Sequence, residues 1–466
     1  RDAPAMHAQI DRLDYAHTSF FTTADTPPSN VCPGGEIRPD GPRTVSVRCP
    51  GDETSTAAAK LALADTTPNA DVSATPVTQL VMGEALKQAG VKGLTEAPAT
   101  VIVRAEASGK VQSAVVEHAA IQQALRMGAS LEVRFNQGSL TLPPTALADL
   151  MRENPARLVV LLGEVSPERE DVKPWLEKPF RRISAVVDVS VATLFDNGDV
   201  VHHDTFAVPL RLTLNTAGIP QESRKLAGVF WLKEDLTGKA SQRLYKGGSV
   251  DLERSTISVE TDHLSSYVAL MLDAQFADVP QSHWAHDVVH QMAARQVVDW
   301  PANDLFDPEI PVTRGEVASL LVRALGLETD ERFAYVYRDI EAGDPLAGEI
   351  GGAIMAGLMM GYPDATFHPE ARITRQELAV VLHRVSTKYT RLGILALPKG
   401  NVQASAYRDW SEVAAWAKDA VQAAMSQGLM TGRAKDTFSP GGVTTRAEAV
   451  TVVKRLLDWI EGSKEP

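Results

Sequence analysis

Thr-Arg-x-Glu occurs three times in this chain, at residues 313–316, 374–377 and 445–448, and each copy is followed by apolar residues at helical spacing. A repeat held in register restricts the fold strongly, because one short unit cannot cover its own apolar face and must lean on its copies. Eight residues before each Arg stands a Phe two places ahead of a Pro: Phe306, Phe367 and Phe438. Further upstream lies an aromatic-x-Asp, ending at Asp278, Asp339 and Asp409, and the Asp-to-Arg separations are 36, 36 and 37 residues. Between Asp and Phe the apolar positions again follow a helical period, so each unit reads as helix, loop, helix.

Thr before the helix with Glu at its third position forms a capping box, in which each side chain satisfies a backbone donor of the first turn. Arg314, Arg375 and Arg446 are not explained this way. A cation in the first turn opposes the helix dipole, so an anionic partner is expected, either an internal carboxylate such as the repeat's own Asp or an external anion. Trp284 and Trp416 stand at matching places at the start of the first helix, as core residues or as faces for a sugar, with core the favoured reading. Gly361 and Gly432 match in the turn before Phe, where glycine permits a positive φ and close ligand approach. The first copy has Trp300 there, and Gln296 where the others have Gly357 and Gly428. These departures lead us to expect a larger part in binding for Arg375 and Arg446 than for Arg314. Gly351-Gly352 should weaken the first helix of copy two by about 1 kcal/mol each relative to Ala.

The combination aromatic-x-Asp, Trp-Ala, Gly357-Leu358-Met359-Met360-Gly361-Tyr362-Pro363-Asp364-Ala365-Thr366-Phe367 and Thr-Arg-x-Glu resembles the S-layer homology (SLH) domain, in three tandem copies over about residues 274–460. The resemblance implies a pseudo-threefold all-α bundle whose inter-repeat grooves bind a pyruvylated secondary polymer of the cell wall. It makes Arg314, Arg375, Arg446, Asp278, Asp339, Asp409, Trp284, Trp416, Gly361, Tyr362 and Gly432 the candidate polymer-binding residues, and moves the expected partner of the Arg toward a ligand carboxylate.

The remainder reads as a multidomain α+β chain. Residues 1–92 are a loose segment with a short helix at 77–90; 93–170 form a small α+β unit, with a helix over 115–129; 167–179 are a Pro-rich linker; 180–272 are an antiparallel, sandwich-like β domain. Repeats then occupy 274–330, 335–390 and 405–462, with a surface insertion within 388–404. The segment from Phe230-Trp231-Leu232 through Thr261-Asp262-His263-Leu264-Ser265-Ser266-Tyr267 is also similar to the β-rich segment that often precedes SLH repeats. With 46 Lys and Arg against 59 Asp and Glu, the net charge of −13 argues against nucleic-acid or anionic-membrane binding. No apolar run is long enough to span a bilayer. Cys32 and Cys49, each followed by Pro-Gly, are expected to form a disulfide in an oxidising, extracellular setting. The start at Arg1 is consistent with a leader peptide removed or lying outside this sequence.

His202-His203-Asp204 lies in a strand-like stretch that sends the two His to opposite faces, so no metal site is expected, and no cofactor motif is present. The expectation is a secreted surface protein, S-layer-like, held noncovalently to the wall and not an enzyme, with self-association into a lattice as a further partner. The alternatives are a wall-anchored polysaccharide hydrolase and a glycan-binding adhesin.

Overall fold

The computed structural model describes residues 36–39, 45–48, 100–108, 111–235, 239–392 and 403–462. Strands Glu36–Pro39 and Val45–Arg48 pair antiparallel. Cys32, Cys49 and the helix expected at 77–90 lie outside the described residues.

Two sheets face each other across a core of aliphatic side chains. The larger runs in the order Ala240–Gly247, Ala227–Glu234, Ser266–Leu272, Val186–Leu194, Arg157–Val165, Val111–Glu117, Glu106–Ser108, all antiparallel. The smaller runs Ser249–Asp251, Thr256–His263, Thr205–Asn215, Gly138–Leu142, Ser130–Arg134, Thr100–Arg104, with the last pair parallel. Helices α1 (His118–Arg126) and α2 (Pro144–Leu150) pack Ile121, Ala124, Leu147 and Leu150 into the same core.

This arrangement departs from the sequence reading in four places. Each sheet joins a block of strands from 100–165 to a block from 180–272, Arg157–Val165 beside Val186–Leu194 in the larger and Gly138–Leu142 beside Thr205–Asn215 in the smaller, so the two segments build one sandwich rather than two domains. The helix expected over 115–129 begins only at His118. Val111–Glu117 is a strand buried on both faces, and it loses the period of two that exposes a strand in a sequence. Residues 256–272, whose sequence also reads as one strand, form two, one in each sheet, and Tyr267 ties the crossing by donating its hydroxyl to the His263 carbonyl at 2.6 Å. Residues 167–179 are no loose linker. Val172 is fully buried, and the Trp175 indole donates to the Ala240 carbonyl at 3.2 Å.

The outer face of the larger sheet is covered by the C-terminal helices: α3 (His286–Ala294) and α4 (Arg314–Leu325), α5 (Ala347–Met355) and α6 (Arg375–Arg391), α7 (Lys418–Ser426) and α8 (Arg446–Gly462). Phe180, Phe230, Leu232, Val268 and Leu270 of that face share one apolar cluster with Val289, Leu321, Leu382 and Leu456 of the helices. Val186–Leu194 and Ser266–Leu272 are consequently buried at every position.

The three repeats meet in a closed ring of backbone bonds. Val312 N–H donates to the Thr444 carbonyl at 2.9 Å, Thr444 N–H to Ile373 at 3.0 Å, and Ile373 N–H to Val312 at 3.2 Å. Gly351 and Gly352 do more than weaken α5. A Cβ on either would overlap the carbonyls of Asp330 or Glu328, so the glycines let the preceding loop lie directly on the helix.

Thr444 is fully buried where the other copies have Val312 and Ile373, and its hydroxyl has no partner. Thr444→Val keeps the shape and removes an unsatisfied polar atom. Urea unfolding should show it stabilised by about 1 kcal/mol; a destabilised variant would mean that the hydroxyl is satisfied in solution.

Candidate functional site

Every second helix of a repeat starts inside the next repeat. At α4 the four backbone donors that a helix N-terminus leaves open are all met. Thr313 N–H donates to Glu316 at 2.8 Å and Glu316 N–H to the Thr313 hydroxyl at 3.2 Å. Arg314 N–H and Gly315 N–H donate to the carbonyls of Ala371 and Pro369 in copy two, both at 2.9 Å. Arg375 and Gln376 do the same to Gly442 and Pro440 of copy three, and Arg446 and Ala447 to Ile310 and Pro308 of copy one. The Pro of Phe-x-Pro is thus the acceptor for the Thr-Arg-x-Glu of the copy before it.

The loop presenting those carbonyls is fixed by the Asp of aromatic-x-Asp. Asp339 accepts from Phe367 N–H at 2.8 Å and His368 N–H at 2.6 Å; Asp278 does so from Phe306 and Asp307, and Asp409 from Phe438 and Ser439. The residue after each Phe has a positive φ, between 55° and 60°. Successive N–H groups therefore converge on one carboxylate. Burial works to raise the pKa values of Asp339 and Asp409, but these N–H donors outweigh it and hold both below the usual aspartate value.

The anionic partner expected for the Arg is not the repeat's own Asp. Arg314 Nε donates to the Phe367 carbonyl at 3.0 Å and Nη2 to Met360 at 3.0 Å. Arg375 repeats this with Phe438 at 2.9 Å and Thr431 at 2.6 Å, and its Nη1 lies 3.7 Å from Glu448, the capping-box Glu of copy three. Each guanidinium also stands over the Phe ring of the next copy, at 4.8 to 5.1 Å. Burial lowers the pKa of Arg375. Arg446 differs: it donates to neither equivalent carbonyl, approaches Glu316 at 3.6 Å, and leaves 32% of its side chain exposed, against 7% for Arg375.

The two tryptophans favoured as core are on the surface, Trp284 60% and Trp416 61% exposed. Each sits beside the helix start of the preceding copy. Ala414 N–H donates to Gln376 at 3.0 Å, which brings the Trp416 segment to Arg375. His283, next to Trp284, lies 3.7 Å from Glu309, and the residues flanking Glu309, Pro308 and Ile310, accept from Ala447 and Arg446. Arg314 has Leu346 and no Trp as this neighbour.

Gly361 and Gly432 have no positive φ; that conformation belongs to Gly357 and Gly428, at 68° each. A Cβ at Gly361 or Gly432 would overlap the rings of Tyr337 or Tyr407, and Tyr337 donates no space because its hydroxyl accepts Gly361 N–H at 2.9 Å. Copy one pairs Phe276, which lacks the hydroxyl, with Trp300 stacked on it at 4.1 Å. Gln296 adopts φ 58° in the Gly357 position, and its amide, turned with nitrogen toward the sandwich, donates to the Arg243 carbonyl at 2.9 Å. Gln296 therefore serves the first copy's contact with the sandwich, whereas Trp300 stacks on Phe276 and donates to Asp304 within the copy. The glycine argument for ranking the Arg also shifts by one copy, since Gly361 neighbours Arg314 and Gly432 neighbours Arg375. Tyr362, 39% exposed, lies under the Arg314 guanidinium at 5.0 Å.

Sequence reasoning missed Glu316, Glu448 and Arg433, which take part in the ion pairs around the three Arg. Arg433 grips Glu448 with three contacts of 2.7 to 3.1 Å; with that help the Glu448 pKa falls, although burial opposes it. A capping-box Glu explains itself locally, so nothing in the pattern announced a second role. His202 is exposed while His203 is half-buried and bonded to Thr193 at 2.9 Å, and among the described residues no group of His, Cys, Asp and Glu could hold a metal ion. No described helix is long and apolar enough to cross a membrane.

The architecture is that of a helical repeat module fused to a β sandwich. Residues 275–318, 336–379 and 406–450 match the S-layer homology domain family, so the C-terminal part of the chain is three tandem SLH repeats. The chain is similar to an amylopullulanase of Thermoanaerobacterium thermosulfurigenes, 27% identical over 331 residues, 71% of this chain and 16% of that protein. It is 28% identical to exoglucanase XynX of Acetivibrio thermocellus over 39% of the chain, and 25% identical to the surface-layer 125 kDa protein of Lysinibacillus sphaericus over 43%. This chain spans 16% of the length of each of these relatives. The repeats and the surface-protein relatives mark it as a cell-surface protein associated with the cell wall. The expectation that it is not an enzyme is corrected by the amylopullulanase and the exoglucanase among its relatives.

Because the folded-state pKa values of Asp339 and Asp409 are depressed, their contribution to stability is present above the ordinary aspartate value, about 3.9, and is lost as pH falls through the depressed values. Asp339→Asn with Asp409→Asn should lower the melting temperature at pH 7 and flatten its decline in acid. A decline in acid as steep as in the unaltered protein would assign the acid sensitivity to other groups.

Proposed function

We propose that this chain holds a polysaccharide-degrading activity at the bacterial cell wall, with the SLH repeats as its wall-binding end. One observation carries this reading: the 331 residues aligned with the amylopullulanase are more than lie between 275 and 466, so the likeness extends from the repeats into the sandwich. The shared unit is then the anchor together with the β domain docked on it. The three repeats form a pseudo-threefold bundle, a reading supported by the ring through Val312, Ile373 and Thr444. In its grooves a pyruvylated secondary wall polymer is the ligand. A ketal carboxylate would meet a guanidinium while a sugar ring stacks on an exposed indole, and Trp284 with Arg446 and Trp416 with Arg375 offer that combination. Between them Arg446 has the freer guanidinium. Likeness to the surface-layer protein supports a second reading, in which the anchored chain joins a lattice of its own copies.

Both parts are testable with the full chain. Pelleting with sacculi should be lost after extraction of the secondary polymer, and Trp284→Ala and Trp416→Ala should each weaken it about tenfold while leaving the melting temperature unchanged, since both side chains lie on the surface. Undiminished binding by both variants would remove the tryptophans from the site. Reducing sugar should be released from at least one of pullulan, xylan and carboxymethylcellulose; release from none would overturn the hydrolase reading and leave the anchor intact.

A further inference from the structure

His290, on α3, is a titratable side chain that the grooves do not use, and it is buried. Both of its ring nitrogens are engaged. Nδ1 lies 2.8 Å from the His286 carbonyl, and Nε2 lies 3.2 Å from the Phe276 N–H. A carbonyl can only accept and an N–H can only donate, so the ring is neutral with its proton on Nδ1. A second proton would enter at Nε2, against the Phe276 N–H, and break that bond. Copy three meets the same need without a titratable group: Gln422, six residues after Trp416 as His290 is six after Trp284, accepts the Ala404 N–H at 3.0 Å in the segment leading to Tyr407. Copy two has Gly351 at this place.

Little around the ring would offset a charge on it. The His286 ring, 4.3 Å away, opposes protonation, and Asp287, which favours it, is engaged by His286 Nδ1 at 2.9 Å. Helix α3 packs on strand Ser266–Leu272, on residues 221–226 and on α8. The strand carries no charged side chain. Glu222, Arg224 and Lys225 of 221–226, with Asp273 of the connector, bring both signs to the cleft that His290 also lines. On α8, Lys454 pairs with Asp458, Glu461 with Arg295, and Arg455 donates to the Leu429 carbonyl. Burial accordingly holds the His290 pKa below the ordinary histidine value, about 6.5. The neutral ring's contribution is complete above that value and is lost as pH falls from it through the depressed one.

The Phe276 ring stacks on Trp300 at 4.1 Å and lies 5.5 Å from Phe306, whose ring stands 5.1 Å from the Arg446 guanidinium. Pro308 and Ile310, just beyond Phe306, give their carbonyls to the start of α8. We infer that His290 is an acid-sensitive latch on the first repeat: protonation at Nε2 releases the Phe276 backbone and, through Phe276 and Phe306, loosens the seat of Arg446. An effect on polymer binding rests on the groove reading above; the latch itself does not.

The test uses the full chain and native-state hydrogen exchange, corrected for the intrinsic rate at each pH. Between pH 7.5 and 5 the protection of the Phe276 amide should fall about tenfold, while that of the Ala404 amide, bound to Gln422, stays level. In His290→Gln, which supplies the acceptor that copy three uses, Phe276 protection should stay level too. Constant Phe276 protection in the unaltered chain overturns the latch, as does a fall shared equally by Ala404 or one that persists in His290→Gln. Sacculus pelleting should weaken over the same range in the unaltered chain and not in the variant. Level pelleting beside a falling Phe276 protection overturns the coupling to Arg446. Absence of pelleting at pH 7.5 overturns the groove reading instead, and the Phe276 exchange decides the latch in either case.

Discussion

Val312, Ile373 and Thr444 exchange three backbone hydrogen bonds in a closed ring, and everything else in the repeat region is arranged so that this ring can close. A helix start needs four acceptors. Two come from the local capping box, and two are carbonyls of the Phe-x-Pro loop of the next copy, itself held by an Asp that collects two N–H groups. The last copy turns back to the first. No repeat can therefore complete its own helix, which is why the motifs recur in register and why the unit of folding is the set of three.

The same dependence sets what the three Arg are free to do. Arg314 and Arg375 are largely occupied in joining copies, through two carbonyls and a Phe ring each. Copy one, docked on the sandwich through Gln296 and through Arg295, which lies 2.6 Å from Glu461 and faces Tyr245, has given up the Gly and Tyr of the other copies. Arg446, reaching into that altered copy, is left the most open of the three. The three Arg thus differ in exposure while sharing one motif.

Much of the repeat region was legible in the sequence, because capping boxes and helical periods are local and were present three times. The partners were not. Nothing in the pattern says that Arg375 reaches Phe438 rather than Asp339, since the bonds run between copies about sixty residues apart. The tryptophans were misjudged because helical aromatics are usually core, whereas these two precede their α-helices on the surface. In the β region, Val111–Glu117, buried at all but its last position, carries no alternation, whereas Val186–Leu194 keeps it, with Asp188 and Ser190 between Val187, Val189 and Val191. The assignment of strands to sheets came only from their pairing.

Native-state hydrogen exchange at the Val312, Ile373 and Thr444 amides tests this account most directly. If the ring closes the three repeats into one cooperative unit, these amides exchange only on global unfolding and report one common free energy. Exchange of any one of them through a local opening, with a free energy lower than the others by more than about 1 kcal/mol, would mean that a copy can leave the ring and that the repeats are folded independently of it.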